Sequence, residues 1–311
     1  MTTSTSTLTL KTAIGGYGHH EALKDGSLNS DRLAFDQVEV TPIINAFRRM
    51  CRQLEFDVSE MAITTYLTAK NYGLPFTAIP VFPVRAFHHG AITINTNSGI
   101  KEPKDVEGKK AGVRAYTVTT GVWARGILTA EYGVDWSKVD ITVADEEHVE
   151  AFMKDAPSNV HYDLGAKLPE MLADNTLQVG LGLGRAESPD IKPLIADAKA
   201  AAVESYAKTG VYPINHMIVV KDELLEANPW LAAALFEAFA EAKRLWQEKT
   251  PEAERSTLRE TTIEGDPFPY GIESNRKTLE AIISHARDAK ILTRDFSVED
   301  IFAAPTVGLS A

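Results

Sequence analysis

Histidine is the residue type in this sequence best suited to catalysis, because imidazole exchanges protons near neutral pH. Six of the eight histidines lie in or near predicted loop ends: His19, His20, His88, His89, His148 and His216. Adjacent histidines on an extended chain point to opposite sides, whereas metal-ligand pairs on a helix stand three or four residues apart. The two doublets therefore favour acid–base chemistry without a cofactor. A divalent metal held by histidines and Glu60 stays open as the less favoured alternative.

Arginines at predicted strand ends indicate an anionic ligand, since the guanidinium fork matches a carboxylate. The loop after Arg114 is rich in hydroxyl groups and leads into a predicted helix, where free amides and the helix dipole favour anions. The candidate binding residues are Arg85, Arg114, Tyr116, Thr117, Thr119, Thr120 and Arg185. Ordinary capping of the helix by Thr119 or Thr120 is the competing interpretation.

Nucleotide and nucleic-acid ligands do not fit this sequence. Gly180 and Gly182 are followed by Arg185, and Gly16 and Gly18 by Glu21, where the third glycine of a G-x-G-x-x-G motif belongs. A net charge of −11 argues against binding to phosphate backbones. A few converging arginines can still form a local positive pocket in an acidic protein. The ligand class left by these exclusions is a small molecule.

The length of the chain and its N-terminal sequence indicate the number of domains and the cellular compartment. A chain of 311 residues predicts two domains, at roughly 150 residues each. A single cysteine, Cys51, excludes an intrachain disulfide and all-cysteine metal sites. The first ten residues lack the apolar core of a signal peptide, and there is no apolar run of about 18 residues to span a membrane. We therefore expect a cytoplasmic protein, and the alanine-rich stretch 231–242 leaves a homo-oligomer open.

Alternation of strands and helices predicts an α/β fold whose strand ends carry the ligand. The predicted strands are 7–14, 36–40, 56–58, 76–85, 90–95, 111–114, 139–143, 176–183 and 215–221. The predicted helices are 42–54, 60–71 with Ser59 as its cap, 122–132, 229–249 and 275–289, with a further one after the strand that ends at 143. The polar segment 101–110 is typical of a linker between two lobes.

Four segments together resemble the 4,5-dihydroxyphthalate decarboxylase family: Pro42–Gly73, Ile79–Gly90 (IPVFPVRAFHHG), Val113–Gly126 (VRAYTVTTGVWARG) and Thr209–Leu224. The resemblance runs from about residue 36 to about residue 225 and weakly to the end. That family is similar to type II periplasmic binding proteins, which have a two-lobed "Venus flytrap" α/β fold with a cleft between the lobes. We therefore expect lobe 1 to comprise 1–98 and 210–311, and lobe 2 to comprise 99–209.

The resemblance implies an enzyme, a carboxy-lyase that converts 4,5-dihydroxyphthalate to 3,4-dihydroxybenzoate and CO2 in phthalate degradation. General-acid protonation of the ring in the cleft would drive this reaction without an electron-sink cofactor. As a hypothesis, Arg85, Arg114 and the threonine loop hold the two carboxylates. His88, His89 or His19 protonates the ring, and His216 or Glu60 contacts the catechol hydroxyls. The alternatives are a non-catalytic, ABC-type binding protein for aromatic carboxylates and a related enzyme acting on another hydroxylated aromatic or pyridine carboxylate.

Overall fold

The computed structural model describes residues 7–184, 188–251, 254–255, 266 and 268–311. The chain divides into two compact units. Unit 1 comprises Met1–Arg85, Ile214–Arg276 and Phe296–Ala311, and unit 2 comprises Ala86–Pro213 and Lys277–Asp295. Within the described ranges, no helix combines the length and apolar character that crossing a membrane requires.

Each unit is built around one β-sheet. The strands are β1 (Leu8–Ala13), β2 (Leu33–Gln37), β3 (Val58–Ala62), β4 (Phe76–Arg85), β5 (Ile92–Asn95), β6 (Lys110–Val113), β7 (Asp140–Val143), β8 (Val160–Tyr162), β9 (Val179–Leu181), β10 (Ile191–Pro193) and β11 (Ile214–Lys221). The order in unit 1 is β2-β1-β3-β11-β4, and the order in unit 2 is β10-β5-β9-β6-β7-β8. The α/β class predicted from the sequence is therefore confirmed.

Both sheets combine parallel and antiparallel strand pairs. In unit 1, β1 pairs in parallel with β2 and β3, and β11 runs antiparallel between β3 and β4. In unit 2, β9, β6, β7 and β8 are parallel, whereas β5 is antiparallel to β9 and β10 is antiparallel to β5. Parallel strands end at the same edge of a sheet, so the loops that follow them are brought together.

Helices cover the sheets with apolar faces. They are α1 (Glu21–Lys24), α2 (Ile44–Gln53), α3 (Ile63–Asn71), α4 (Thr119–Tyr132), α5 (Leu168–Ala173), α6 (Ala198–Thr209), α7 (Asp222–Ala227), α8 (Leu231–Lys249) and α9 (Arg276–Asp288). In α8, Leu231, Leu235 and Phe239 repeat every four residues and join the buried core of unit 1. This core fixes the sheet that carries the site described below.

The boundary between the units differs from the predicted one at 98/99 and 209/210. The chain leaves unit 1 after Arg85 and returns at Ile214, because β5 pairs with β9 and β10 in the sheet of unit 2. Residues Lys277–Asp295, which were expected in lobe 1, belong to unit 2. The composition of 101–110 marks a polar turn region within unit 2 rather than the crossover.

Local structure differs from prediction at several places, and β8, β10, α6 and α7 were not predicted. Glu60 lies in strand β3, and the helix that follows begins at Ile63 rather than at residue 60. The strand expected at 36–40 is β2, which starts and ends earlier. The helix expected between β7 and the strand near residue 180 is α5, and a short 3₁₀ helix at Glu150–Lys154 precedes it.

Candidate active site

One edge of the unit 1 sheet gathers several of the predicted functional residues. Ala13 pairs with Ser59 near the end of β1, His216 pairs with Ala62, and Ile214 pairs with Arg85. The carboxyl ends of β1, β3 and β4 therefore meet the start of β11 at this edge. Ligands of α/β proteins usually bind at such an edge.

A buried carboxylate lies at the centre of this edge. Glu60 is fully buried, and its Oε2 accepts the backbone N–H of Gly15 at 2.8 Å. Its Oε1 accepts the Tyr17 hydroxyl at 2.8 Å and contacts Nδ1 of His216 at 2.6 Å. Glu60 and His216 occupy diagonal positions on one face of the β3–β11 pair, which accounts for their contact. We call Glu60, His216 and Tyr17 the carboxylate–histidine cluster.

The cluster has a defined protonation pattern. Burial alone raises the pKa of Glu60, but the hydrogen bond and charge of His216, together with His20 and the Gly15 N–H, outweigh it and lower the pKa. Burial, followed by the Glu60 charge, raises the pKa of Tyr17, so its phenol stays a donor. An ionised Glu60 accepts from Nδ1 of His216, and Nε2 is then the basic nitrogen of that ring.

Two glycines allow close packing in the loop that carries Tyr17. A Cβ atom at Gly15 would lie 2.5 Å from the Tyr17 ring, and one at Gly18 would lie 2.5 Å from the Trp246 indole nitrogen. A larger residue at either position therefore collides with the packed loop. The loop 15–18, whose glycine spacing does not match a dinucleotide-binding motif, thus lets the Tyr17 ring pack against the backbone of Gly15.

His19 and His20 lie inside unit 1. His20 is fully buried, with Nδ1 3.2 Å from the Gly15 carbonyl oxygen, and its burial lowers the pKa to about 4. His19 packs face to face with Phe268 at 4.8 Å, and burial lowers its pKa as well. Both rings are therefore neutral at neutral pH. A neutral ring packed in the core does not match the role of ring proton donor expected for His19.

Arg85 and the second histidine doublet are also buried. Nη1 of Arg85, at the end of β4, donates to Oδ1 of Asn275 at 2.7 Å. In unit 2, Nε2 of His89 lies 3.1 Å from a carboxylate oxygen of Glu131, and His88 is 4% exposed. The structure therefore places the doublet His88–His89 in unit 2 and the other candidate catalytic residues in unit 1.

The threonine loop of unit 2 binds a carboxylate of this chain. Glu147 accepts the backbone N–H groups of Tyr116 and Thr117 at 2.6 and 3.1 Å. These amides were expected to be open to a ligand, so the structure corrects that part of the prediction. Thr119 and Thr120 form the first turn of α4. The prediction for Arg185 falls outside the described residues.

Arg114 differs from the other binding candidates in its exposure. It follows β6, and its Nη1 donates to the Asp145 carboxylate at 3.0 Å, with the side chain 45% exposed. Tyr116, by contrast, is 3% exposed and donates its hydroxyl to the Ala289 carbonyl oxygen at 3.0 Å. Arg114 can thus bind a ligand after breaking only an exposed ion pair, whereas Tyr116 is part of the interior of unit 2.

Two residues of these hydrogen-bonded groups, Tyr17 and Glu147, were not among the candidates chosen from the sequence. Tyr17 could have been found as an aromatic residue inside a glycine-rich loop at a strand end. Glu147 offered no such signal, because it belongs to the acidic run 145–147 that is typical of a solvated helix start. In the part of the chain that the structure describes, no group of three or more histidine, cysteine or acidic side chains is arranged to hold a metal ion.

Comparisons with known proteins agree with the resemblance seen in the sequence. No protein-family model matches the chain. It is 28% identical over 327 residues to a 4,5-dihydroxyphthalate decarboxylase of Comamonas testosteroni, covering 96% of this chain and 97% of that protein. It is 30% identical over 218 residues to a 4,5-dihydroxyphthalate decarboxylase of Pseudomonas putida, covering 64% of this chain and 81% of that protein.

Solved structures support the fold. The aliphatic sulphonate binding protein SsuA of Escherichia coli has a TM-score of 0.52 at 10% identity, covering 91% of this chain and 85% of that one. A putative periplasmic sulfonate-binding protein SsuA of Methylobacillus flagellatus KT has a TM-score of 0.53 at 10% identity, covering 97% and 94%. At this identity the likeness concerns the fold alone, and it confirms the predicted periplasmic-binding-protein class.

Proposed function

We propose, from the premise that the chain belongs to the 4,5-dihydroxyphthalate decarboxylase family, that it converts 4,5-dihydroxyphthalate to 3,4-dihydroxybenzoate and CO2. Membership of this family makes the chain a carboxy-lyase. The observation that carries the proposed mechanism is the contact of His216 with the buried Glu60 at a sheet edge suited to ligand binding.

The reaction replaces a carboxylate by a proton on the ring. Withdrawal of the proton from the hydroxyl para to one carboxylate pushes electrons into the ring. An acid then protonates the carbon that carries this carboxylate. The C–C bond breaks, its electron pair restores the aromatic ring, CO2 leaves and the phenol regains its proton. The net reaction consumes one proton for each carboxylate lost.

His216 is the proposed base for the para hydroxyl. Its Nε2 takes the phenol proton, and the ionised Glu60 at 2.6 Å from Nδ1 stabilises the imidazolium that forms. Glu60 has no exposed surface and already accepts from Gly15 and Tyr17 besides contacting His216. We therefore assign Glu60 a positioning role towards His216 rather than direct contact with the catechol, and Tyr17 a role in holding Glu60.

The ring proton donor is the acid that the reaction needs besides the base His216. His19 is neutral and packed among aromatic rings, so we propose that the donor belongs to the doublet His88–His89. We assign it first to His88, as the proposal to be tested, and note that Nε2 of His89 lies 3.1 Å from a Glu131 carboxylate oxygen. We expect His88→Gln to lower kcat by about 100-fold or more, since general acid catalysis contributes about 10²–10⁴. His89→Gln is the matched variant, and we expect it to affect stability more than kcat. If both variants keep wild-type kcat, neither histidine is the acid.

Arg114 is the proposed carboxylate-binding residue that can be tested with the least damage to the fold. Arg114→Ala is expected to raise KM for the substrate about 10- to 100-fold, as for loss of one charged hydrogen bond. Its exposed ion pair with Asp145 contributes about 0–1 kcal/mol, so the melting temperature should hardly change. Asp145→Ala breaks the same pair but leaves the arginine, and its KM should not rise. An unchanged KM for Arg114→Ala contradicts the assignment.

The activity itself is tested by incubating the protein with 4,5-dihydroxyphthalate and following CO2 release and the spectrum of the product. Turnover supports the proposal. Binding without turnover favours the alternative of a non-catalytic binding protein. Turnover of another hydroxylated aromatic acid, but not of 4,5-dihydroxyphthalate, would show that the proposed substrate is wrong. Exhaustive chelation belongs in the same assay. Loss of activity that one added metal ion restores would replace the cofactor-free mechanism by a metal-dependent one.

A further inference from the structure

The loop before α4 surrounds the side chain of Glu147 with hydrogen-bond donors. Oε1 accepts the Tyr116 N–H at 2.6 Å and the Tyr162 hydroxyl at 3.1 Å. Oε2 accepts the Thr117 N–H at 3.1 Å and the Thr117 hydroxyl at 2.5 Å. Glu147 has no solvent-exposed surface. Four donors converging on two oxygens are the arrangement expected of a site for a carboxylate.

A buried cation lies on the other side of the same loop. Arg125 is 2% exposed and donates from Nη2 to the Tyr116 carbonyl oxygen at 2.8 Å. Its guanidinium lies over the Tyr116 ring, 4.0 Å from the centroid. The backbone of Tyr116 therefore links Glu147 at its N–H to Arg125 at its carbonyl. The negative charge of Glu147 and the positive charge of Arg125 interact across this residue, and Glu147 opposes the lowering of the Arg125 pKa by burial.

The start of α4 lies directly after this arrangement. The helix begins at Thr119, and its N-cap residue, Val118, provides no side-chain hydrogen bond. Two residues earlier, Thr117 is held by Glu147 through both its N–H and its hydroxyl. The residues that lead into the first turn are therefore held by a side chain from outside the helix.

We propose that the Tyr116–Thr117 loop is a carboxylate-binding site whose permanent occupant is Glu147. Through it, Glu147 is a positioning residue that sets the first turn of α4, with Thr119 and Thr120, for a carboxylate of the substrate. The second statement rests on the proposed function, whereas the first does not.

The site is tested by emptying it and offering a small carboxylate. Glu147→Ala leaves buried donors without acceptors and is expected to lower the melting temperature by about 5–10 °C. Formate should restore much of this loss in a saturable way, whereas chloride at equal ionic strength should not. Glu147→Gln still fills the space, so formate should not stabilise it. Glu170→Ala, which removes a surface glutamate, should show neither effect.

The positioning role has its own readout. Glu147→Gln is expected to raise KM for 4,5-dihydroxyphthalate about tenfold with kcat within about twofold of wild type, because ground-state binding alone is disturbed. Formate should lower the raised KM of Glu147→Ala. If the wild type does not turn over this substrate, the proposed function fails, but the thermal response to formate still decides whether the site exists.

Two results would overturn the proposal. One is a Glu147→Ala protein whose melting temperature does not respond to formate. The other is a Glu147→Gln protein that equals wild type in both melting temperature and KM. If Glu147→Ala does not fold as produced, refolding in formate becomes the measurement. Recovery of folded protein then supports the proposal, and no recovery counts against it.

Discussion

Replacing His216 by Gln is expected to lower kcat for 4,5-dihydroxyphthalate by about 10²–10⁴-fold, the usual contribution of a general base. The glutamine amide can still donate to Glu60, but it cannot take the phenol proton. The side chain of His216 is 15% exposed, so the substitution creates little buried volume. The melting temperature should therefore stay near that of wild type while CO2 release falls. Wild-type kcat in this variant would place the base elsewhere.

Two variants distinguish the proposed base, His216, from Glu60 and Tyr17, which are proposed to position it. Glu60→Gln puts an amide where an acceptor for Nδ1 of His216 is needed, so the ring loses its preferred tautomer and kcat should fall about 100-fold. Tyr17→Phe removes one donor to Glu60 but leaves its contact with His216, and kcat should stay within about tenfold of wild type. A larger effect for Tyr17→Phe than for Glu60→Gln contradicts this order of roles.

The sequence identifies Glu60 and His216 as candidates but not their contact. The two residues are 156 positions apart, and they meet through the antiparallel register of β3 with β11. Local pattern favoured a helix at Glu60 because Ser59 resembles a cap. In the structure, all five residues of β3 are buried between two neighbouring strands, so tertiary pairing overrides the local signal.

The threonine loop is a second case in which the sequence identifies a group but not its binding partner. Hydroxyl groups before a helix correctly indicate donors for a carboxylate, and the structure contains that carboxylate as Glu147. Sequence pattern reports which groups can donate, but the partner comes from a segment 30 residues away. In the same way, the periodicity of β5 predicts a strand, while its assignment to unit 2 depends on pairing with β9.

The free energy of unfolding is expected to decrease as the pH falls from about 6.5 towards 4, because two histidines are buried in unit 1. An unfolded histidine titrates near 6.5, whereas burial lowers the folded pKa of His20 to about 4. The unfolded state therefore binds the proton first. The contribution of His20 to the free energy of unfolding is therefore fully present above about pH 6.5. It decreases as the pH falls below that value and is lost once the pH has fallen through the folded pKa of about 4. His20 alone accounts for about 3 kcal/mol over this interval, at about 1.4 kcal/mol for each pH unit.

Urea unfolding at pH 7, 6 and 5 measures this slope, and two variants identify its source. His20→Gln removes the titrating group and should flatten the slope, although it also costs stability at pH 7. Phe239→Leu is the matched control, because Phe239 packs edge-on against His20 at 5.3 Å and does not titrate. It should lower the whole curve with the slope unchanged. His19, whose pKa is also lowered by burial, adds to the slope in the same direction and so remains in both variants. An equal slope in wild type and His20→Gln would show that His20 is not held neutral in the folded protein.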